Sequence, residues 1–297
     1  MININNLPTM VFHFFEAPNK ILITDENYFN IITAEIDEQF DNDFILDAKS
    51  FDLMKKLNTN RKIEVDKKQI TITSNEGTYK CNHIERQKPN LHLDDIIYEH
   101  NFDLEELKFA SKFVSNNSAQ QILNGVLICD NGDIYATDSF KMYGSNKNTQ
   151  QQINNSWSIP VKFIELIKNG NLKFTKNKVI YEDDYCVYGN VYAGKMPDLK
   201  KAFAYSSNGI TCELKYNENL NLFSAESIYL KSENGIIKYV LNDIEKEFII
   251  QDEYKGNDIE FKCNYKSFIQ GITFSNTITV KESTILFGNN VLLCRMV

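Results

Sequence analysis

Residues 123–142 read Leu-Asn-Gly-Val-Leu-Ile-Cys-Asp-Asn-Gly-Asp-Ile-Tyr-Ala-Thr-Asp-Ser-Phe-Lys-Met. Two alternating strands flank the turn Asp130-Asn131-Gly132-Asp133, the pattern of a hairpin. The second strand runs into the polar cluster Ala136-Thr137-Asp138-Ser139. Upstream, Leu104, Leu107 and Val114 fall on one stripe, which predicts a helix over Leu104–Ser115.

Further out, the chain repeats itself. Phe44-Ile45-Leu46-Asp47-Ala48 is strand-like, and Lys49–Leu57 then places Phe51, Met54 and Leu57 on one helical face. Three short strands are expected near Lys62–Val65, Gln69–Thr73 and Thr78–Cys81. The pattern returns at Trp157-Ser158-Ile159-Pro160. A helix over Val161–Lys168 there turns Phe163, Ile164 and Ile167 inward, with Asn169-Gly170 as its C-terminal stop. Strands follow near Leu172–Phe174, Lys178–Tyr181 and Tyr185–Tyr188. It returns once more at Ile259–Cys263, with a helix over Asn264–Gln270 and strands near Thr277–Val280, Thr284–Phe287 and Val291–Leu293. The core phenylalanines Phe51, Phe163 and Phe268 stand 112 and 105 residues apart. Three β-α-β-β-β copies at that period predict an α+β protein of three similar tandem domains, 1–100, 101–203 and 204–297. The middle domain alone shows a full first half. Met10–Phe15, Lys20–Thr24 and Tyr28–Ile36 read as strands without a helix before or between them. A helix around Glu218–Ser227 is at most two turns long, so the first and third domains are expected to be trimmed.

Composition sets the outer bounds. A length of 297 residues suits two or three domains, and a hydrophobic fraction of 42% is enough to bury their cores. The net charge of −8 speaks against a surface coated in phosphate contacts, while leaving room for a local basic face. Cys81, Cys129, Cys186, Cys212, Cys263 and Cys294 are far apart, with no CxxC pair and no histidine beside them. They read as small buried hydrophobes in a reducing compartment. Met1–Met10 has neither the charged nor the apolar segment of a signal peptide, and no apolar run approaches the ~18 residues of a membrane span. A cytoplasmic protein without a membrane segment is expected.

The 123–142 block resembles the middle domain of the bacterial sliding clamp, the DNA polymerase III beta subunit. There a Leu-Asn-Gly strand and an Ala-Thr-Asp-Ser/Gly strand stand in the same order at similar spacing. Val191-Tyr192-Ala193-Gly194-Lys195-Met196-Pro197-Asp198 is similar to that family's Gly-x-Phe-Pro-Asp link into the third domain. The resemblance covers most of the chain from about Leu22 onward. It implies a homodimer of three-domain subunits closed head to tail into a ring, with helices around the hole and sheets as the outer wall. It also implies a processivity factor that encircles double-stranded DNA without sequence specificity, with no cofactor and no catalytic site. Candidate ring-closing edges, by the same analogy, are Thr78–Ile84 and Ser227–Lys231.

Sliding needs phosphate contacts and no base readout. The candidate pore helices carry Lys49 and Lys56, Lys108 and Lys112, Lys162 and Lys168, and Lys262 and Lys266. Elsewhere acids dominate: residues 1–97 hold 11 basic and 16 acidic side chains, 98–203 hold 12 and 12, and 204–297 hold 9 and 12. Lysines on polar helix faces are also ordinary solvated surface, and it is the repeat that favours the pore. The resemblance further implies a pocket between the second and third domains that takes a short apolar peptide from a DNA polymerase or a clamp-loader subunit. Carried over by motif, that pocket comprises Leu123, Thr137, Ser139, Phe140, Lys141, Met142, Ala204, Leu292, Leu293, Cys294, Arg295 and Met296. Lys141 and Arg295 would sit on its rim. Taken singly, each of these is equally a core residue of two strands. The chain departs from the family at Phe140-Lys141-Met142, where His-Arg-Leu is common. It departs again at its end, where Met-Pro-Met-Arg-Leu is common and Val297 is added. A different partner peptide, as in a phage or plasmid clamp with its own polymerase, fits those departures.

Enzyme readings find no support. There is no Gly-rich phosphate loop, HExxH, GxSxG or EF-hand loop. His13, His83, His92 and His100 share no metal-ligand spacing. Glu182-Asp183-Asp184 reads as a hairpin turn, and Asp138 has no base or nucleophile beside it. Two other readings remain: a clamp-like decoy that binds replication partners without encircling DNA, and a β-rich phage structural protein.

Overall fold

Short runs of β-branched and aromatic residues between turn signals fold here into antiparallel strands, and short helices, five among the described residues, pack on them. The computed structural model describes residues 1–57, 61–66, 69–116, 118–145, 155–194, 197–214, 217–242, 247–253 and 256–294. The helices are α1 (Ala48–Lys56), α2 (Leu104–Ala110), α3 (Val161–Leu166), α4 (Leu199–Ser206) and α5 (Tyr265–Phe274). No helix among the described residues is long and apolar enough to cross a membrane.

The strands build two eight-stranded sheets, and each sheet has two halves. One half follows the order fourth-first-second-third. Phe44–Asp47 lies beside Phe12–Glu16, then come Lys20–Thr24 and Asn30–Glu35. The other half is a meander, Asn171–Phe174, Lys178–Glu182 and Cys186–Asn190, with Tyr98–Asn101 at its far side. The seam between them pairs Cys186 with Thr33 and Tyr188 with Ile31. The second large sheet repeats this plan: Ser156–Pro160, Gly125–Cys129, Ile134–Thr137 and Lys141–Gly144 meet Val291–Cys294, Thr284–Phe287, Thr277–Lys281 and Ile210–Glu213. Its seam pairs Lys141 with Leu293 and Met142 with Leu292. Among the described residues, two halves remain without a complement. Glu260–Asn264, Ser227–Glu233, Ile236–Asn242 and Glu247–Glu253 form a four-stranded sheet in the same fourth-first-second-third order. Lys62–Val65, Gln69–Ser74 and Gly77–Asn82 form a three-stranded meander. Contacts group the chain into two compact units, residues 1–105 with 159–191 and residues 106–158 with 192–297, because each large sheet draws on two separate stretches.

The three phenylalanines picked out by the repeat, Phe51, Phe163 and Phe268, are fully buried. The helices that carry Phe51 and Phe268 begin alike: the Asp47 carboxylate accepts the Ser50 N–H at 2.7 Å, and the Asn264 side chain accepts the Ser267 N–H at 3.0 Å. The end of α1 is held by Arg61, which donates to the Leu57 carbonyl at 3.3 Å and pairs with Glu38.

Several expectations need correction. The 104–115 helix stops at Ala110 and tightens into a 3-10 turn, Ser111–Phe113. Helix α3 ends at Leu166, and the residue after it is extended rather than left-handed. Gly170 is therefore no helix stop. It is needed because a Cβ there would overlap the Phe102 carbonyl oxygen. Helix α4 and the strand Ile210–Glu213 were not anticipated. In the place of α2, the third repeat has only the 3-10 turn Glu218–Leu222. Ser227–Glu233 is paired on both sides and is not an edge; the open edge on that side is Glu247–Glu253.

The core of the first unit contains a buried imidazole. His13 is buried, stacks on Phe51 with centroids 3.8 Å apart, and accepts the Met10 N–H on Nε2 at 3.3 Å. Burial, outweighing an opposing backbone contact at Leu46, pushes its imidazolium down to about 3. Folded His13 therefore resists a proton that the unfolded chain accepts near pH 6.5, so its contribution is complete above that pH and is lost as pH falls toward 3. Urea midpoints should fall between pH 7 and pH 4.5 by the equivalent of about 2 kcal/mol more in the wild type than in His13→Phe.

Candidate peptide and nucleic-acid interfaces

The hairpin at 130–133 is built around a buried carboxylate. Gly132, at φ 84°, lets the chain reverse, and the Cys129 N–H then donates to the Asp133 carbonyl at 2.9 Å. The Asp133 side chain is fully buried. Its Oδ2 accepts from Asn131 Nδ2 at 2.8 Å and Tyr135 Oη at 3.2 Å, and Lys200 Nζ lies 3.4 Å away. Burial, reinforced by this carboxylate, pushes the Cys129 thiol up to about 12 and raises the Tyr135 phenol as well. Cys129 is accordingly an inert core thiol.

The Thr-Asp-Ser cluster is a turn held by its own side chains. Asp138 Oδ1 accepts the Phe140 and Lys141 N–H groups at 2.9 and 2.8 Å, while Thr137 Oγ1 accepts the Ser139 N–H at 3.0 Å. Ser139 takes φ 78°, a left-handed conformation that glycine adopts without strain. The polar residues of this block thus shape the chain reversal.

Strand register divides the candidate pocket residues that lie on paired strands between two faces. Directly opposed residues point to the same side. Thr137, Met142 and Leu292 are in line across three strands, and Leu286 is next in that row. This face gathers Leu123, Leu292 and Met142 with Leu199, Ala202 and Phe203 of α4. Phe203 fits because residue 144 is glycine: a Cβ there would come within 2.8 Å of the Phe203 ring. Ala204 is exposed and borders a cavity of about 500 Å³ with Phe203, Leu286, Lys200 and Asn290. A second hollow, of about 840 Å³, lies at the start of α4 against Ile122, Gly194, Pro197 and Lys201. Lys141 and Leu293 belong to the opposite face. There Tyr143 packs among Phe109, Phe113 and Phe274, with ring centroids 5.4 to 6.1 Å apart. Lys141 does not stand on a rim; its ammonium donates to the Lys112 carbonyl at 2.6 Å. Phe140 is 76% exposed, Ser139 is exposed and Cys294 is half-buried. Arg295 and Met296 lie outside the described residues, as do Lys195 and Met196 of the link.

Leu199 and Phe203 complete the apolar face and were missed. The signal was present: Pro197-Asp198 is a helix start, with Asp198 accepting the Lys201 N–H at 3.3 Å, and Leu199 and Phe203 follow at i and i+4.

Of the eight candidate DNA-facing lysines, Lys49, Lys56, Lys108, Lys112, Lys162, Lys168 and Lys266 are exposed. Lys262 is half-buried and lies on the strand Glu260–Asn264, a correction to its helical placement. Among the described residues, Lys162 pairs with Glu165 at 3.1 Å and Lys168 with Asp184 at 2.7 Å.

These two doubled sheets, with a helix after each fourth strand, constitute an α+β sliding-clamp fold of repeated modules. The DNA polymerase sliding clamp of Pseudomonas aeruginosa, solved with a ligand, superposes with a TM-score of 0.75 at 14% identity, over 97% of this chain and 91% of that one. The DNA polymerase III beta subunit of Thermotoga maritima gives 0.76 at 13% identity, over 98% and 92%. The Helicobacter pylori beta clamp, solved bound to a DNA ligase peptide, gives 0.72 at 13%, over 97% and 91%. No protein-family model and no curated protein matches the chain.

Phe203→Ala should empty the hollow above Gly144 and loosen α4 from its sheet. A loss of about 3 kcal/mol is expected in urea unfolding of the intact chain.

Proposed function

We propose that this protein is a sliding clamp: a non-catalytic, cytoplasmic processivity factor. It encircles duplex DNA as a homodimeric ring of three modules per chain, 1–100, 101–203 and 204–297. It tethers a replicative polymerase and receives a clamp loader through a short apolar peptide.

One observation carries the ring. Twice within the chain, a four-strand half is completed by a meander, through its third strand and the meander's third strand. The half ending in Glu247–Glu253 and the meander ending in Gly77–Asn82 each have that same strand open among the described residues. Pairing one with the other in a second copy applies the rule a third time. Two such seams, related by a twofold axis, close a dimer in which each four-strand half is completed by a meander. Ile249, on the open strand, is 57% exposed, an apolar side chain that a seam would cover.

The tether is supported by the apolar face formed by Leu123, Met142, Leu292 and Phe203 and by the cavity beside Ala204. A leucine- and phenylalanine-bearing peptide has the chemistry to fill such a slot.

The expected solution mass is that of two chains, and Ile249→Asp should weaken the dimer at least tenfold. The wild type, once loaded on nicked circular DNA, should stay bound until the circle is cut, and a Gln-Leu-x-Leu-Phe-type peptide should bind the same protein. A strict monomer at high concentration, released equally from circular and linear DNA, would overturn the ring.

A further inference from the structure

Asparagine is followed by glycine at Asn124-Gly125, Asn131-Gly132, Asn169-Gly170, Asn208-Gly209 and Asn234-Gly235. In such a step the side-chain carbonyl carbon lies near the next backbone nitrogen, and glycine has no Cβ to obstruct the approach. Whether the two atoms meet depends on how the fold holds the side-chain amide.

Four of these amides are held. Asn124 accepts the Ser118 N–H at 2.9 Å and donates to the Ser118 carbonyl at 3.1 Å. Asn131 is buried, accepts the Asp133 N–H at 3.0 Å and donates to the Asp133 carboxylate at 2.8 Å. The Gly132 N–H is itself engaged by the Cys129 carbonyl. Asn169 accepts the Asn171 N–H at 3.0 Å and donates to Asp183 at 3.4 Å. Asn208 donates to the Ala204 carbonyl at 3.1 Å, and Gly209 is packed so closely that a Cβ would come within 2.4 Å of the Val280 carbonyl oxygen. Turning any of these amides toward its glycine breaks a hydrogen bond or requires local opening.

Asn234 is different. It is exposed, and among the described residues its side chain forms no hydrogen bond. With Gly235 it makes the two-residue turn between Ser227–Glu233 and Ile236–Asn242, at φ 54° and 77°, as in a type I′ hairpin. The Gly235 N–H has no carbonyl acceptor among the described residues.

We propose that Asn234 is a site of spontaneous modification, converted to aspartate and its β-linked isomer with water as the co-reactant. The Gly235 nitrogen gives its proton to solvent base and attacks the Asn234 side-chain carbonyl carbon. A cyclic imide forms, and the side-chain nitrogen leaves as ammonia. Water then opens the imide. Attack at the side-chain carbonyl gives an ordinary aspartyl peptide, and attack at the main-chain carbonyl leaves the chain running through the β-carbon. Either product puts a negative charge beside Glu233. The β-linked product also adds a methylene to a turn whose length fixes the strand register, so the Glu233–Ile236 and Ser232–Ile237 pairings should fray first. The site stands independently of the clamp reading.

The test is peptide mapping of the intact folded chain during incubation at mildly alkaline pH, beside a sample unfolded in guanidinium chloride. In the folded chain, ammonia loss should be roughly tenfold or more faster at Asn234 than at the other four sites, which must first open locally. In the unfolded chain all five should convert at similar rates. A protease that cleaves before aspartate should leave part of the converted 234 peptide uncut, as a β-linkage demands. Hydrogen exchange in the aged protein should quicken at Ile236 and Ile237 and stay unchanged at the 130–133 hairpin. Asn234→Gly keeps a residue suited to positive φ and should abolish both the conversion and the change in exchange. Equal rates at all five sites of the folded chain, a faster site elsewhere, or an intact Asn234 after the unfolded chain has converted would overturn the proposal.

Discussion

A strand at the edge of a sheet exposes a row of N–H and C=O groups, and folding gains little from ordering them unless another strand takes them up. That requirement organises this chain. Each half is a stable local arrangement, a fourth strand returning beside the first or a three-strand meander, yet each ends with an unpaired edge. Where Cys186 meets Thr33 and where Lys141 meets Leu293, the two kinds of half satisfy one another. The seam also fixes the site. Met142 opposes Leu292, so both face α4. A slip of one residue would bring the Lys141 ammonium under Phe203 and send Met142 toward the aromatic cluster around Tyr143. Edge pairing and the apolar slot are one constraint seen at two scales.

Helix α4 is held to that face by two unlike contacts. Phe203 fills the space left by Gly144, and Lys200 reaches the carboxylate of Asp133. A buried ion pair is weak support on its own, because desolvation offsets most of the attraction. Here Asn131 and Tyr135 also donate to the same carboxylate oxygen, so the charge is satisfied before Lys200 adds to it. Removing the lysine would leave a bonded carboxylate, whereas removing the carboxylate would leave three groups without their acceptor. The pairing therefore orients α4, while apolar burial supplies most of the adhesion.

Much of this was legible in the sequence because it rests on local periodicity. Phe51, Phe163 and Phe268 stood out at a common spacing, and each proved fully buried on a helix in equivalent positions. The 130–133 hairpin was carried by its Asn-Gly step. What failed was what depends on distant backbone. Gly170 looked like a helix stop, but its reason is the Phe102 carbonyl some seventy residues earlier, which no local pattern encodes. Ser227–Glu233 looked like an edge because nothing in its own residues reveals that Glu260–Asn264 will return to its other side. The motif puts Lys141 on a pocket rim because a motif gives position along a strand and leaves the face to the register. Leu199 and Phe203 are legible from their spacing after Pro197-Asp198, a segment whose motif points to a link and hides the helix start.

The division of lysines into paired and unpaired bears on how a protein of net charge −8 could hold a polyanion at all. Averaged over the surface, its field repels DNA, and at physiological ionic strength that repulsion is screened within about 8 Å. Only charges lying within that distance of a phosphate act on it. Pairing Lys162 with Glu165 and Lys168 with Asp184 removes their local field and leaves their side chains as solvated surface. Lys112, Lys141 and Lys266 form no such pair among the described residues, although the carboxylate of Asp138 offsets part of the charge of Lys141. A contact of this kind acts on charge alone and carries no pattern of donors and acceptors for a base edge. In the ring we propose, that is what a sliding molecule requires: attraction that is short in range, indifferent to sequence and equal at every step along the duplex.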